Sequence, residues 1–275
     1  MHSKTKKKLV MTLICSIFLI LSITYFSSAQ TTQNKTIYVD DDANADYNNI
    51  QDAINAAENG DTIFVYSGIY YENIIVNKSI SITGQNNEDT IVDGMQKGDV
   101  ISVSGLSNNV KISGFTIQNA GFDRYSAGID IDSYNCTISN NIINGCNMGI
   151  CVELWSHKCN IFENYIIRNS YGIIIHSVTP NNIKIYRNNF AENYINAYDN
   201  SKSVWDFQEE GNYWDDYNGT DKDNDGIGDS PYLINGLTSQ DNYPLIEPVQ
   251  TPGFEIILVI FALIIFITFS RKIEK

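Results

Sequence analysis

The chain has 275 residues, 43% of them hydrophobic, with 18 Lys and Arg against 32 Asp and Glu and a formal net charge of −14. An acidic balance of this size repels polyphosphate and argues against a nucleic-acid partner. The five cysteines include no CxxC spacing, so a zinc-module reading has little support.

Residues 1–29 read as an export signal. Lys4, Lys6, Lys7 and Lys8 supply a positive start, residues 9–26 are apolar, and Ser27-Ser28-Ala29 places small residues at a cleavage site. The apolar stretch is long enough that an uncleaved N-terminal anchor is the alternative. Residues 30–98 then read as a cap and first coils, 99–204 as repeats, 205–248 as a capping tail, and 249–275 as a linker with a C-terminal anchor.

A strand is predicted over 36–40 and an amphipathic helix over 48–59, with Ile50, Ala53, Ile54 and Ala57 on one face. Asn48 and Gln51 form a candidate capping pair, and Gly60 stands where a helix would end. Short strands follow over 62–65, 74–76, 79–82 and 90–92. Ser67-Gly68, Asn77-Lys78 and Asp93-Gly94 supply turns between them.

Four segments then repeat: VKISGFTIQNAG, CTISNNIINGC, CNIFENYIIRNS and IKIYRNNFAENY. Each carries an apolar pair five positions apart: Ile112/Ile117, Ile138/Ile143, Ile161/Ile166 and Ile185/Phe190. The first members are 26, 23 and 24 residues apart, and a Gly-Ile step recurs at Gly128, Gly149 and Gly172. Such a period predicts a solenoid of about three short strands per coil.

The order YNNIQDAINAAENGDTIFVYSGIYYENIIVNKSISITGQNNEDTIVDG closely resembles the entry segment of right-handed parallel β-helix proteins. The likeness continues through the repeat into GNYWDDYNGTDKDNDGIGDSPYLINGLTSQDNYPL. Together they resemble the NosD-like, carbohydrate-binding and sugar-hydrolase (CASH) group within the pectin-lyase-like superfamily. The resemblance implies an all-β fold, a right-handed parallel β-helix with a short N-terminal capping helix and an irregular C-terminal tail. A cap is needed physically, because the first coil would otherwise expose a strand edge and an apolar core.

Strand alternation sends Ile129/Ile131, Ile150/Val152 and Ile173/Ile175 inward, and Asp130/Asp132, Cys151/Glu153 and Ile174/His176 outward. Asn141, Asn164 and Asn188 stack as a structural ladder. Asp132, Glu153 and His176 form an outward column about 4.8 Å per step. This column is the candidate catalytic or metal-holding set, against the alternative of a plain solvated face. The polygalacturonase pattern is absent, no base is placed as a pectate-lyase mechanism needs, and the catalytic set of pectin methylesterases is not found despite a similar entry segment. Trp155, Tyr165, Tyr171, Tyr186, Tyr194, Tyr198, Trp205, Tyr213 and Trp214 concentrate in the C-terminal half. They suggest either a glycan-stacking face or burial under the tail, and burial is the preferred reading for Trp205, Tyr213 and Trp214. Cys136 and Cys159 fall one coil apart, as a disulfide or as stacked thiols.

In the tail, Asp221, Asp223, Asp225 and Asp229 occupy positions 1, 3, 5 and 9 of a calcium-type loop. Gly226 is at position 6 and the Ile227 carbonyl at position 7. Tyr232 replaces the usual bidentate Glu, so further oxygens are expected from Asp215, Asp216 or water. The expected role is structural calcium, with a simple acidic turn as the alternative. Copper wants clustered His, Met or Cys, and His157, His176, Met95 and Met148 form no visible cluster in sequence.

Residues 256–269 are apolar and Arg271-Lys272 follows, as in a membrane anchor with a cytoplasmic end. Pro252-Gly253-Phe254 before them resembles the PGF-CTERM sorting signal of euryarchaeal surface proteins, which implies removal of the helix and a lipid anchor. Removing the four lysines of 1–29 and the net +2 of Arg271, Lys272, Glu274 and Lys275 from −14 leaves −20 for the exported part. Sequons at Asn34, Asn77, Asn135 and Asn218 suit an extracellular surface. The expected function is a surface-anchored, non-catalytic protein with a cell-envelope role or a carbohydrate-binding role. The alternative is a calcium-dependent polysaccharide lyase or glycoside hydrolase.

Overall fold

Three parallel sheets of seven strands each build the body of the chain. This computed structural model describes residues 34–42, 45–105, 107–176 and 182–250. The expected signal peptide, and the apolar C-terminal segment with its PGF motif, lie outside the described residues. No helix among the described residues is long and apolar enough to cross a membrane.

The first sheet runs from Thr36–Val39 through Thr62–Val65, Ser81–Gly84, Lys111–Ser113, Thr137–Ser139 and Asn160–Phe162 to Lys184–Tyr186. The second runs from Gly68–Tyr70 to Tyr213–Trp214, and the third from Ile74–Val76 to Asn235–Gly236. Each complete coil contributes one strand to each sheet, which is the parallel β-helix expected from the repeat. The coils extend beyond the legible period at both ends. The strand Gly68–Tyr70 is additional to the expected ones, because Ser67-Gly68 reads as a turn. The strand expected over 79–82 sits at Ser81–Gly84 instead.

The isoleucine pairs occupy two adjacent inner columns. Ile112, Ile138, Ile161 and Ile185 are Cα partners in the first sheet. Ile117, Ile143, Ile166 and Phe190 are partners in the second. All eight are fully buried, each stabilising the solenoid by about 1.5–3 kcal/mol. The Gly-Ile step lies within the third-sheet strands Ala127–Ile131, Met148–Val152 and Tyr171–Ile175, where successive coils approach closely. A Cβ on Gly149 would lie 2.5 Å from the Gly172 carbonyl oxygen, so only glycine fits.

Between the first and second sheets the chain turns through left-handed residues: Gly114, Asn140, Glu163 and Arg187 have φ of 82, 56, 56 and 55°. The asparagine ladder holds this corner. Asn141 Nδ2 donates to Asn164 Oδ1 at 3.1 Å, Asn164 Nδ2 to Asn188 Oδ1 at 3.0 Å, and Asn188 Nδ2 to Asn212 Oδ1 at 3.0 Å. A second ladder at the next corner joins Asn169 Nδ2 to Asn193 Oδ1 at 3.0 Å.

The capping helix spans Ile50–Ala56, shorter than expected at both ends, with Ile50, Ala53 and Ile54 buried. The cap is Asn49, one residue later than expected: its Oδ1 accepts the Asp52 N–H at 2.8 Å. Glu72 of the next coil takes over the remaining first-turn donors, accepting from Ile50 N and Gln51 N at 2.8 and 2.9 Å. The helix stops before Gly60, where Ala57 turns extended at ψ 155°, and Lys78 Nζ donates to the carbonyls of Ile54, Asn55 and Ala57 at 2.9, 2.7 and 2.7 Å. A cation there also suits the negative end of the helix dipole.

The far end is covered by the tail. Phe190, Trp214 and Tyr232 stack with ring centroids 4.3 and 4.1 Å apart, and Trp205 packs beside them fully buried. Asp199 ties the cover down, accepting from Ser203 N, Trp205 Nε1 and Ser239 Oγ at 2.8, 2.9 and 2.6 Å. Burial works to raise this carboxyl, yet the bonds from Ser239, Trp205 and Ser201 together hold it below its usual range. Cys136, Cys146, Cys151 and Cys159 are all free thiols, so the stacked-thiol reading of Cys136 and Cys159 holds and no disulfide joins them.

Candidate functional site on the third sheet

Ala127–Ile131, Met148–Val152 and Tyr171–Ile175 lie side by side, pairing Asp130 with Cys151 and Cys151 with Ile174. The register continues past the strands. Asp132 N donates to Val103 O at 2.9 Å, Glu153 N to Ile131 O at 2.8 Å, and His176 N to Val152 O at 3.0 Å. The predicted column Asp132, Glu153, His176 thus exists along the backbone.

The side chains group differently. Donor atoms of Cys151, Glu153 and His176 all lie within 4.8 Å of one another, and Cys151 Sγ is 3.5 Å from Glu153 Oε1. Asp132 stays outside that group and faces Gly105, where a Cβ would meet its Oδ2 at 3.3 Å. The column as read from sequence leaves out Cys151. The signal for it is its position two residues before Glu153, on the same outward side of one strand.

Burial and like charge shape the electrostatics. Asp130 is pushed up to about 7, first by burial and then by the carboxylates of Asp99 and Glu153. Burial likewise raises Asp99. The Cys151 thiol is driven far up by burial, with Asp130 and Glu153 adding to the effect. Among the described residues, the ion pairs join Arg168 to Glu192, Arg187 to Glu163 and Glu210, and Lys222 to Asp229. None of them neutralises this acidic face.

A groove of about 440 Å³ opens beside the cluster, within the usual size of small-ligand sites. Tyr171 and Tyr198 line it from adjacent coils, above a floor of Met148 and Ile174. Phe122 and Tyr125 overhang it, 81% and 68% exposed. Arg124, Asn147 and His176 supply polar groups, and the Arg124 guanidinium lies 4.8 Å over the Tyr125 ring. His176 therefore belongs to both the groove and the donor cluster. Of the C-terminal aromatics only Tyr171 and Tyr198 reach the groove. Trp205 and Trp214 are buried under the tail, while Trp155 and Tyr194 stand exposed elsewhere.

In the tail, Asp221, Asp223 and Asp225 bring carboxylate oxygens within 4.8 Å of one another. Asp221 accepts from Asp225 N and Gly226 N at 3.2 and 3.0 Å, and Gly226 turns the loop at φ 86°. Asp229 is not part of this group; its carboxylate accepts from Thr220 Oγ1 at 2.8 Å. Asp215 and Asp216 bond to Asn196 Nδ2 instead of joining the loop. Tyr232 departs from the calcium-loop pattern because its ring stacks on Trp214 and its hydroxyl donates to Asp216 at 3.2 Å.

A family model described as "Periplasmic copper-binding protein (NosD)" matches residues 27–219, the greater part of the chain. The chain belongs to the NosD family. This NosD member keeps the whole cluster and groove inside the matched region. No curated protein sequence matches it significantly. Among solved structures, a pectin methylesterase from carrot is 13% identical, with 65% of this chain and 72% of that chain covered and a TM-score of 0.42. The Aspergillus niger pectin methylesterase in deglycosylated form is 11% identical, covering 66% and 76%, with a TM-score of 0.38. A pectin methylesterase in complex with a hexasaccharide is 10% identical, covering 75% and 94%, also at 0.38. Likeness at this level says nothing about what this NosD member binds.

Proposed function

We propose that this NosD family protein is exported, anchored at the cell surface, and binds envelope carbohydrate without cleaving it. The observation that carries this reading is the aromatic groove on the third sheet. Tyr171, Tyr198 and Tyr125 offer ring faces of the kind that stack on sugar rings, and Arg124 and Asn147 offer polar groups for hydroxyls. The signal-like start, the apolar C-terminal segment with its PGF motif and the "periplasmic" of the family description support export and anchoring. Calcium in the loop of Asp221, Asp223, Asp225, Ile227 and Asp229 would order the tail, with Asp229 joining by rotation from Thr220.

A second reading is favoured by one feature, the acidic group of Asp99, Asp130, Asp132 and Glu153 beside the groove. A polysaccharide lyase or glycoside hydrolase would use such carboxylates as acid and base. Retention and product release on a panel of envelope polysaccharides, with and without calcium, separate the two. Retention without new products is expected; product release that Glu153→Ala abolishes overturns the non-catalytic reading.

The family description names copper. Copper takes soft and imidazole donors, and the donor types that fit are Cys151 and His176, with Glu153 beside them.

A further inference from the structure

We infer that Cys151, Glu153 and His176 form a three-ligand site for one borderline divalent transition-metal ion, Zn2+ or Cu2+, at the edge of the groove. The inference rests on side-chain geometry and stands whether or not the groove takes a glycan.

Three donor types converge from two adjacent coils. Cys151 and Glu153 leave the same side of one strand, and the pairing of Met148–Val152 with Tyr171–Ile175 brings His176 to the next level. Bonds of about 2.0–2.3 Å around a tetrahedral ion place ligand atoms roughly 3.3–3.8 Å apart. Cys151 Sγ and Glu153 Oε1 already stand at 3.5 Å, and all three donor atoms lie within 4.8 Å. Closing the set needs side-chain movement of about 1 Å, with no change in the coils. Glu153 and His176 are half-exposed while Cys151 is buried, so an ion enters past the carboxylate and imidazole and meets the thiol last. His176 also lines the groove, which leaves the ion open on that side. The carboxyl groups of Asp99, Asp130 and Asp132 lie around the position, and no ion pair among the described residues involves them.

A thiolate, an imidazole and a carboxylate suit zinc and copper and are poor ligands for calcium or magnesium. The site is thereby distinct in kind from the all-oxygen loop at Asp221. On binding, the metal–sulfur bond forms as the thiol proton leaves to solvent, with no change of oxidation state.

The test uses the full exported protein, stripped of metal and reduced. It is titrated separately with Co2+, Zn2+ and Cu2+, reading thiolate-to-metal charge-transfer absorption and metal per chain by native mass spectrometry. One ion per chain with a thiolate band is expected for Co2+. Displacement of Co2+ by Zn2+ or by Cu2+ then ranks the two candidate ions. Cys151→Ser should abolish the band, and His176→Gln and Glu153→Gln should each weaken binding at least about ten-fold. Asp223→Asn, in the tail loop, should leave the band intact. Absence of a thiolate band in the wild type, or a band and affinity that survive both Cys151→Ser and His176→Gln, overturns the inference. Should Cys151→Ser fail to fold, the two more exposed variants decide it alone.

Discussion

Asp241 Oδ2 accepts the backbone N–H of Asn212 at 2.7 Å and so terminates the asparagine ladder that begins at Asn141. The same oxygen accepts from Trp214 Nε1 at 2.9 Å, which locks the tail cover to the last coil. One buried carboxylate thus joins the repeat to the segment that closes it.

Asp241 gives the tail a pH dependence. Burial pushes its carboxyl up to about 6, against the bonds from Asn212, Trp214 and Tyr243. A carboxyl raised on folding contributes stability below its unfolded value near 3.9, and that contribution is lost as pH rises through about 6. Two pH units correspond to about 3 kcal/mol. The melting temperature of the wild type relative to Asp241→Asn should therefore fall between about pH 4 and pH 6.5. A flat difference across that range would contradict the assignment.

The ladder should be costly to interrupt. Asn164 accepts from Asn141 and donates to Ile138 O, Phe162 O and Asn188 Oδ1, all away from solvent. Asn164→Ala leaves several of these groups unbonded and should cost at least about 2 kcal/mol in denaturant unfolding. A change below 0.5 kcal/mol, the size of a surface substitution, would show that the ladder is decoration.

Lys78 should matter out of proportion to its exposure. Lys78→Met removes the donor to three helix carbonyls and should destabilise the entry cap by about 1–2 kcal/mol. Amide exchange would show the loss in Ile50–Ala56 first, ahead of the coils. Uniform loss of protection would place the effect elsewhere.

Calcium removal is the direct check on the tail loop. Chelation should lower the melting temperature by several degrees, and Asp223→Asn should abolish that response. An unchanged melting temperature on chelation would leave Asp221 to Asp229 as an acidic turn.

The solenoid was legible wherever one coil repeats the last. Ile112 and Ile117 announce two sheets, and the Gly-Ile step at Gly149 announces the third, because each coil faces the same packing problem. The groove was less legible. Phe122 and Tyr125 reach it only because the chain between the second and third sheets folds over Met148 and Ile174, and no period encodes that fold. The donor cluster was half visible: alternation places Glu153 and His176 outward, but which neighbour their side chains choose depends on rotamers. The tail keeps the period only at its start, where Asn212 follows Asn188 and Trp214 follows Phe190 by 24 residues. Tyr232, which completes the aromatic stack on Trp214, belongs to no repeat, so its place was not legible.

The central claim is that the groove binds carbohydrate through its aromatic faces. Affinity electrophoresis of the wild type, Tyr171→Ala and Tyr198→Ala through gels containing envelope polysaccharides tests it most directly. Retardation of the wild type is expected, with each variant weakened about ten-fold, near 1.4 kcal/mol per lost ring face. Retardation that is absent in the wild type across the panel, or unchanged in both variants while their melting curves stay normal, would contradict it.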